Sequence, residues 1–172
     1  EEILRLMAEA KFSVLFLGVE SIRRECLEEV NKGHMASVDA VKAVSNISRH
    51  GILPFVGLIV GFDHDDEKTF HELERFIENT NTPFASISIL SAPENTVLYN
   101  RLMAQNRISG EFDGKWHFST NIIQKGKTLK ELLEGHRSLF QKIYQPNQFE
   151  ERSLRWLRGI EYFPAHYGRA KM

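Results

Sequence analysis

The sequence predicts an α/β fold whose strands form a short parallel sheet, and three observations carry that expectation. Three compact apolar runs, "FSVLFLGVES", "ILPFVGLIVG" and "FASISIL", are each short enough for a strand and end in glycine or in small polar residues. Helix-patterned sequence separates each run from the next. Strand–helix–strand connections of this kind make right-handed crossovers, which place consecutive strands side by side and parallel. Three strands cannot close a barrel, but they can form an arc of one.

The elements follow in order. "EEILRLMAEA" is already helical at its first residues, with Ile3, Leu4, Met7 and Ala8 at helical spacing and neither a starting Met nor a capping residue before them. Glu1 therefore reads as a cut inside a larger protein. "IRRECLEEVNKG" is a helix with Ser21 as a plausible N-cap and Gly33 as a stop, since glycine tolerates the left-handed conformation that helix ends need. Ser37 is the expected cap of the next helix, where Val38, Val41, Val44 and Ile47 form a stripe that Gly51 ends. Pro54 blurs the start of the second strand. Phe70, Leu73, Phe76 and Ile77 mark one face of a helix that follows acidic residues, and the third strand alternates Ala85, Ile87 and Ile89 with Ser86 and Ser88. A further helix, "VLYNRLMAQNRI", closes a half-barrel over 1–108. Residues 109–127 are a glycine-rich, irregular connection. A helical extension over 128–172 opens on a capping box, Thr128 and Glu131, stops at Pro146 and resumes with Phe149, Leu154, Trp156 and Leu157.

Composition excludes several classes of function. Of the 172 residues, 42% are hydrophobic and 26% charged, the balance of a globular chain with a real core. The 22 basic residues are offset by 23 acidic ones, so no bulk charge draws the chain to nucleic acid or anionic membrane. No apolar stretch is long enough for a membrane span, and no secretory signal is visible. The single cysteine, Cys26, rules out an internal disulfide and fits a reducing compartment, so a cytoplasmic location is expected.

In parallel α/β folds the ligand lies at the carboxyl ends of the strands. Those ends here are Gly18-Val19-Glu20-Ser21, Gly61-Phe62-Asp63-His64 and Ser91-Ala92-Pro93. Asp63, His64, Asp65 and Asp66 have metal-capable side chains. Four adjacent loop residues point in several directions, however, and Asp63 or Asp65 capping the next helix accounts for the cluster more simply than a metal site. Glu20, at the end of a buried strand, is either paired structurally or accepts hydrogen bonds from a ligand's hydroxyls or amine. Cys26 reads as a core thiol, and His136 and Trp156 as packing residues on helical stripes. The cluster Trp116-His117-Phe118 is either a lid over a pocket or a packed loop.

With these ends placed, the chain resembles the radical S-adenosylmethionine (radical SAM) family. More narrowly, it is similar to members with an N-terminal cobalamin-binding domain and a C-terminal helical extension of unknown function. The resemblance rests on "FLGVES" followed by "NKG", on "GLIVGFD", on "SILSAPENTVLYNRL", and on the "TN" and "LLEGHRSLFQKIYQP" of the extension. It implies strands four to six of a six-stranded partial TIM barrel. It also implies that Glu20 and Ser21 meet the ribose or methionyl part of S-adenosylmethionine, and that Lys32 pairs with the methionine carboxylate. Gly57, Ile59 and Gly61 would pack against adenine, with Leu90 and Ser91 close by. Two departures stand out. His64, followed by Asp65, stands where the family's fifth-strand pattern usually runs on to a Glu. The CxxxCxxC motif, whose three thiolates hold a [4Fe-4S] cluster, is missing.

The resemblance therefore implies one half of a radical SAM enzyme, inactive alone. In the whole enzyme the cluster would cleave the nucleoside to a 5′-deoxyadenosyl radical, with cobalamin serving methyl transfer or a related radical step. No cofactor is expected on this chain alone, and its partner would be the missing N-terminal half. Without that half, the open barrel face is expected to drive self-association or to be covered by the chain's own tail. Two rival readings are a cofactor-free protein-interaction module on a half-barrel scaffold, and a metal-dependent hydrolase using Asp63, His64 and Glu20.

Overall fold

The computed structural model describes residues 1–110 and 118–164. Helix α1 (Glu2–Glu9) leads into strand β1 (Val14–Glu20), and helix α2 (Arg24–Glu29) and a 3-10 turn at Gly33–Ser37 precede helix α3 (Ala40–Arg49). Strand β2 (Leu53–Val60), helix α4 (Thr69–Thr80), strand β3 (Phe84–Ile89) and helix α5 (Val97–Ala104) complete the α/β part. Helices α6 (Leu129–Ile143) and α7 (Pro146–Arg158) follow. The three strands form one sheet in the order β1-β2-β3, parallel throughout, as the crossover pattern predicts. None of the described helices is long and apolar enough to cross a membrane.

Several helix ends differ from the sequence expectation. Ser21 does not cap α2; its hydroxyl accepts a bond from the Arg23 N–H in the turn before the helix. Asn31, with a positive φ of 59°, makes the left-handed turn after α2, and Gly33 instead begins the 3-10 turn. Asp39 rather than Ser37 caps α3, accepting from the Lys42 N–H at 2.9 Å. Neither Asp63 nor Asp65 caps α4, which starts at Thr69 without a side-chain cap. The Thr128–Glu131 capping box is present at α6.

The pleat gives the sheet two unlike faces. Leu17, Val56, Leu58, Val60, Ala85, Ile87 and Ile89 face the helices and form the main core with Val44, Leu73, Phe76, Ile77, Leu132, Leu139 and Ile143. The opposite face is layered by register. Phe16, Phe55 and Phe84 are aligned across the three strands, and their rings meet edge to face at 5.3 and 6.3 Å. The next row is Gly18, Gly57 and Ser86. The bare Gly57 accommodates the Phe16 ring, since a Cβ there would lie 2.8 Å from its Cζ. Val14, Phe16 and Phe84 remain exposed on this side.

The extension seals the free edge of β3. The His136 Nε2 bonds the Ile87 carbonyl at 2.8 Å, and the Tyr144 hydroxyl both donates to the Ala85 carbonyl and accepts from the Ala85 N–H. His136 is therefore more than packing: it answers a backbone group that an edge strand otherwise leaves bare. Arg152, 1% exposed, donates to the carbonyls of Thr82, Pro83 and Ile143 and to Glu78. It is the buried residue of α7, whereas Leu154 and Leu157, expected on its apolar face, stay exposed. A guanidinium so enclosed is held by its bonds, and losing them would leave a buried charge uncompensated.

Gly135 locks α6 to α4. A Cβ at this position would overlap the Phe70 ring, whose other contacts include the Lys127 ammonium at 5.3 Å from its centroid. Elsewhere in a helix Gly→Ala stabilises by about 1 kcal/mol. Here Gly135→Ala is expected to lower the thermal midpoint instead, and Phe70→Ala in the same chain should remove that penalty. A double-mutant cycle by thermal denaturation measures the coupling, and additive effects would refute it.

Candidate functional site

The sheet's open face carries the candidate site. Strand β1 ends in a bulge between Gly18 and Glu20, and Glu20 adopts a positive φ of 62°. A non-glycine residue held there costs roughly 1–3 kcal/mol, a cost met where the surroundings need the side chain in one place. The turn brings the Glu20 carboxylate back over Gly18, where Lys32 meets it at 2.5 Å. A Cβ on Gly18 would lie 2.7 Å from the Glu20 Oε1 and 3.4 Å from the Lys32 Nζ. Glycine at position 18 thus gives the ion pair its seat. Lys32 stands between α2 and the 3-10 turn, which begins directly after it.

Other expected positions divide between this face and the interior. Gly57 and Ile59 share the strand face with Gly18, and Ile59 packs against a second apolar cluster of Cys26, Phe62, Leu90, Ala92, Leu102 and Ile122. Ser21 is buried, 6% exposed, with its hydroxyl turned to the Arg23 N–H. Gly61, with φ 98°, is also enclosed, because a Cβ there would meet Leu132 at 3.2 Å. Leu90 is buried with its N–H on the Val60 carbonyl, while the half-buried Ser91 donates to the Ile89 carbonyl. Glu20, Lys32, Gly57 and Ile59 therefore lie on the open face, and Ser21, Gly61 and Leu90 are enclosed in the interior.

The acidic run after β2 is dispersed among separate partners. Arg107 clasps the Asp63 carboxylate with two bonds of 2.7 and 2.5 Å, and Lys125 approaches it at 3.4 Å. Arg107 holds the Asp63 carboxyl below the usual carboxylate range. The His64 Nδ1 bonds Glu29 at 2.6 Å, and the N–H groups of Asp63 and His64 donate to the same Glu29 carboxylate. Asp65 turns back to accept from the N–H groups of Gly61 and Phe62, and burial raises its pKa. Asp66 pairs with Arg23, whose hydrogen bond lowers the carboxyl to about 2. Among the described residues no three His, Cys, Asp or Glu side chains are grouped as metal ligands would be. Glu20 is occupied by Lys32, so the geometry does not assemble the hydrolase centre that Asp63, His64 and Glu20 would have to make.

Cys26 is fully buried, and burial, with the nearby Asp65 charge, pushes its thiol up to about 12. It is a core thiol rather than a thiolate ligand. Trp116 and His117 lie outside the described residues, while Phe118 is exposed and packs edge to face against His136 at 5.8 Å. Arg107, Thr120 and Asn121 carry roles that residue spacing does not show, although the "TN" pair is among the residues on which the resemblance rests.

Comparison with known proteins places a family model, Domain of unknown function (DUF4070), on residues 96–171. An uncharacterized methyltransferase of Synechocystis sp. is 30% identical over 157 residues, covering 90% of this chain and 29% of that protein. The hopanoid C-2 methylase of Rhodopseudomonas palustris is 36% identical over 107 residues, covering 62% of this chain and 20% of the relative. The bacteriochlorophyllide d C-12(1)-methyltransferase of Chlorobaculum tepidum is 24% identical over 174 residues, covering 98% of this chain and 38% of the relative. The chain thus spans less than two fifths of the length of each of these proteins.

The His64–Glu29 contact makes stability depend on pH. Its hydrogen bond to Glu29 raises the His64 pKa above the ordinary 6.5, although the ring is largely exposed and the gain is screened by solvent. The contribution is fully present below the ordinary imidazole pKa and is lost as pH rises through the raised folded value. Urea midpoints measured from about pH 6 to about pH 8.5 should fall more for the wild type than for His64→Gln. Parallel pH profiles would refute this assignment.

Proposed function

We propose that this chain forms the nucleoside-holding part of a radical SAM methyltransferase. The observation that carries the proposal is the Glu20–Lys32 pair seated over Gly18, on the open face beside Gly57 and Ile59. An α-amino acid end carries one carboxylate and one ammonium, and an adjacent cation and anion on a half-buried wall complement both. In this reading Lys32 turns to the ligand's carboxylate, while Glu20 accepts from its amine or ribose hydroxyls. Beside the pair, the half-buried Ile59 supplies aliphatic surface for a flat heterocycle. The methyltransferase names of three relatives agree with this assignment.

These residues fit S-adenosylmethionine and do not fit its partner cluster. When bound beside an iron–sulfur cluster, S-adenosylmethionine supplies a sulfonium open to reductive cleavage. A [4Fe-4S] cluster needs three thiolates, and the chain's one cysteine is a buried thiol. In this reading the cluster ligands, and any cobalamin site, belong to other parts of the gene product. The role of the residues described here is to bind, orient and exclude water.

The complete gene product, reconstituted with iron and sulfide and supplied with dithionite as reductant, should cleave S-adenosylmethionine to methionine and 5′-deoxyadenosine. Lys32→Met should weaken S-adenosylmethionine binding by roughly tenfold or more, the scale of a charge-assisted hydrogen bond. A gene product without a CxxxCxxC motif, or one that binds no S-adenosylmethionine, would sink the proposal and leave the interaction-module reading in its place.

The open face also needs a cover. Val14, Phe16 and Phe84 are exposed on it, and the outer edge of β1 is unpaired among the described residues. We propose that further polypeptide of the same gene product packs there, and that the isolated chain associates with itself through this face. Light scattering should give a mass that rises with concentration and falls after Phe16→Glu. A concentration-independent monomer would overturn this second proposal.

A further inference from the structure

The stretch between α5 and α6 ties together the segments that follow β2 and β3, beyond the last ladder bond, the Leu90 N–H on the Val60 carbonyl. Residues 107–109 and 121–123 form a short antiparallel ribbon, with Ile108 opposite Ile122, the Ser109 N–H on the Asn121 carbonyl and the Ile123 N–H on the Arg107 carbonyl. One side of the ribbon is fixed to the segment after β2. Arg107, 8% exposed, makes its two bonds to Asp63 and donates from Nε to the Ile123 carbonyl at 3.0 Å. The other side is fixed to the segment after β3. The Thr120 hydroxyl donates to the Leu90 carbonyl at 2.6 Å, and the Asn121 amide exchanges two bonds with Ala92. In that exchange Asn121 Oδ1 accepts from the Ala92 N–H at 2.9 Å and Nδ2 donates to the Ala92 carbonyl at 2.8 Å.

A primary amide offers the donor and acceptor of a peptide unit, so Asn121 stands in for the strand neighbour that Ala92 lacks. It is 3% exposed and has no water to fall back on, so its loss leaves both Ala92 groups unanswered in the interior. The pinned segments contain Gly61, Leu90 and Ser91. These are the strand-end positions expected beside the adenine, and the ribbon holds the two segments where the ladder between β2 and β3 ends.

We propose that the ribbon is a positioning device for the nucleoside site, with Thr120 and Asn121 as positioning residues that touch no ligand themselves. The proposal rests on the nucleoside-binding reading above. It means that part of the stretch matched by the family model of unknown function holds in place the segments that follow the β2 and β3 carboxyl ends.

The test is equilibrium dialysis of labelled S-adenosylmethionine against the complete, cluster-loaded gene product. Tyr144→Phe serves as the control, since it loosens the extension from the amino end of β3 and leaves the ribbon intact. Asn121→Ala is expected to raise the Kd about tenfold, and Tyr144→Phe by less than about twofold at a comparable loss of thermal midpoint. Thr120→Val, which removes the bond to Leu90 in a side chain of the same shape, should raise the Kd in the same direction even if Asn121→Ala fails to fold. Equal losses of affinity in Tyr144→Phe and the ribbon variants would show a merely structural role and overturn the inference. An unchanged Kd in both ribbon variants would do the same while leaving the nucleoside-binding reading intact. Absence of binding by the wild type would overturn both.

Discussion

The arrangement depends on how the free edge of β3 is satisfied. A three-stranded parallel sheet exposes backbone donors and acceptors along both sides, and a sheet this small has little core with which to offset them. Here α6 and α7 supply side-chain partners in place of a fourth strand: His136 for Ile87, Tyr144 for Ala85, and Arg152 for Thr82 and Pro83. Helix α6 also contributes Leu132, Leu139 and Ile143 to the core beneath the sheet. Edge sealing and core completion are thus performed by one element, and the extension is a structural member of the α/β part.

That dependence extends to the strand ends. Leu132 fills the space beside Gly61, and the ribbon between α5 and α6 fixes the stretches after β2 and β3. The Glu20–Lys32 pair is organised differently, by backbone conformation within its own segment: a bulge, a positive φ and a glycine seat. One wall of the candidate site is therefore shaped locally and the other through long-range contacts.

This division also explains what is legible in the sequence. Strand number, parallel order and the alternation of Ala85, Ile87 and Ile89 follow from periodicity, which is local. The proximity of Glu20 and Lys32 follows only from the resemblance, since nothing in their spacing reveals a bulge that folds one over the other. Asp63 and Asp65 look like helix caps because acidic residues before a helix commonly serve that way. Their real partners, Arg107 and the N–H groups of Gly61 and Phe62, are fixed by tertiary geometry and by a backward turn. Arg152 gives no signal, because an arginine in a charged stretch reads as surface until a ring of carbonyls is seen to enclose it.

The layered face has a consequence of its own. Along the strand direction, its side chains pass from three aligned aromatic rings, through a row with almost no side chain, to a charged pair. Polarity therefore rises along one axis in steps of two residues. A molecule with an oily end and an ionic end settles on such a surface in one sense, so the aligned aromatic row and the bulge that seats the pair together make the face directional.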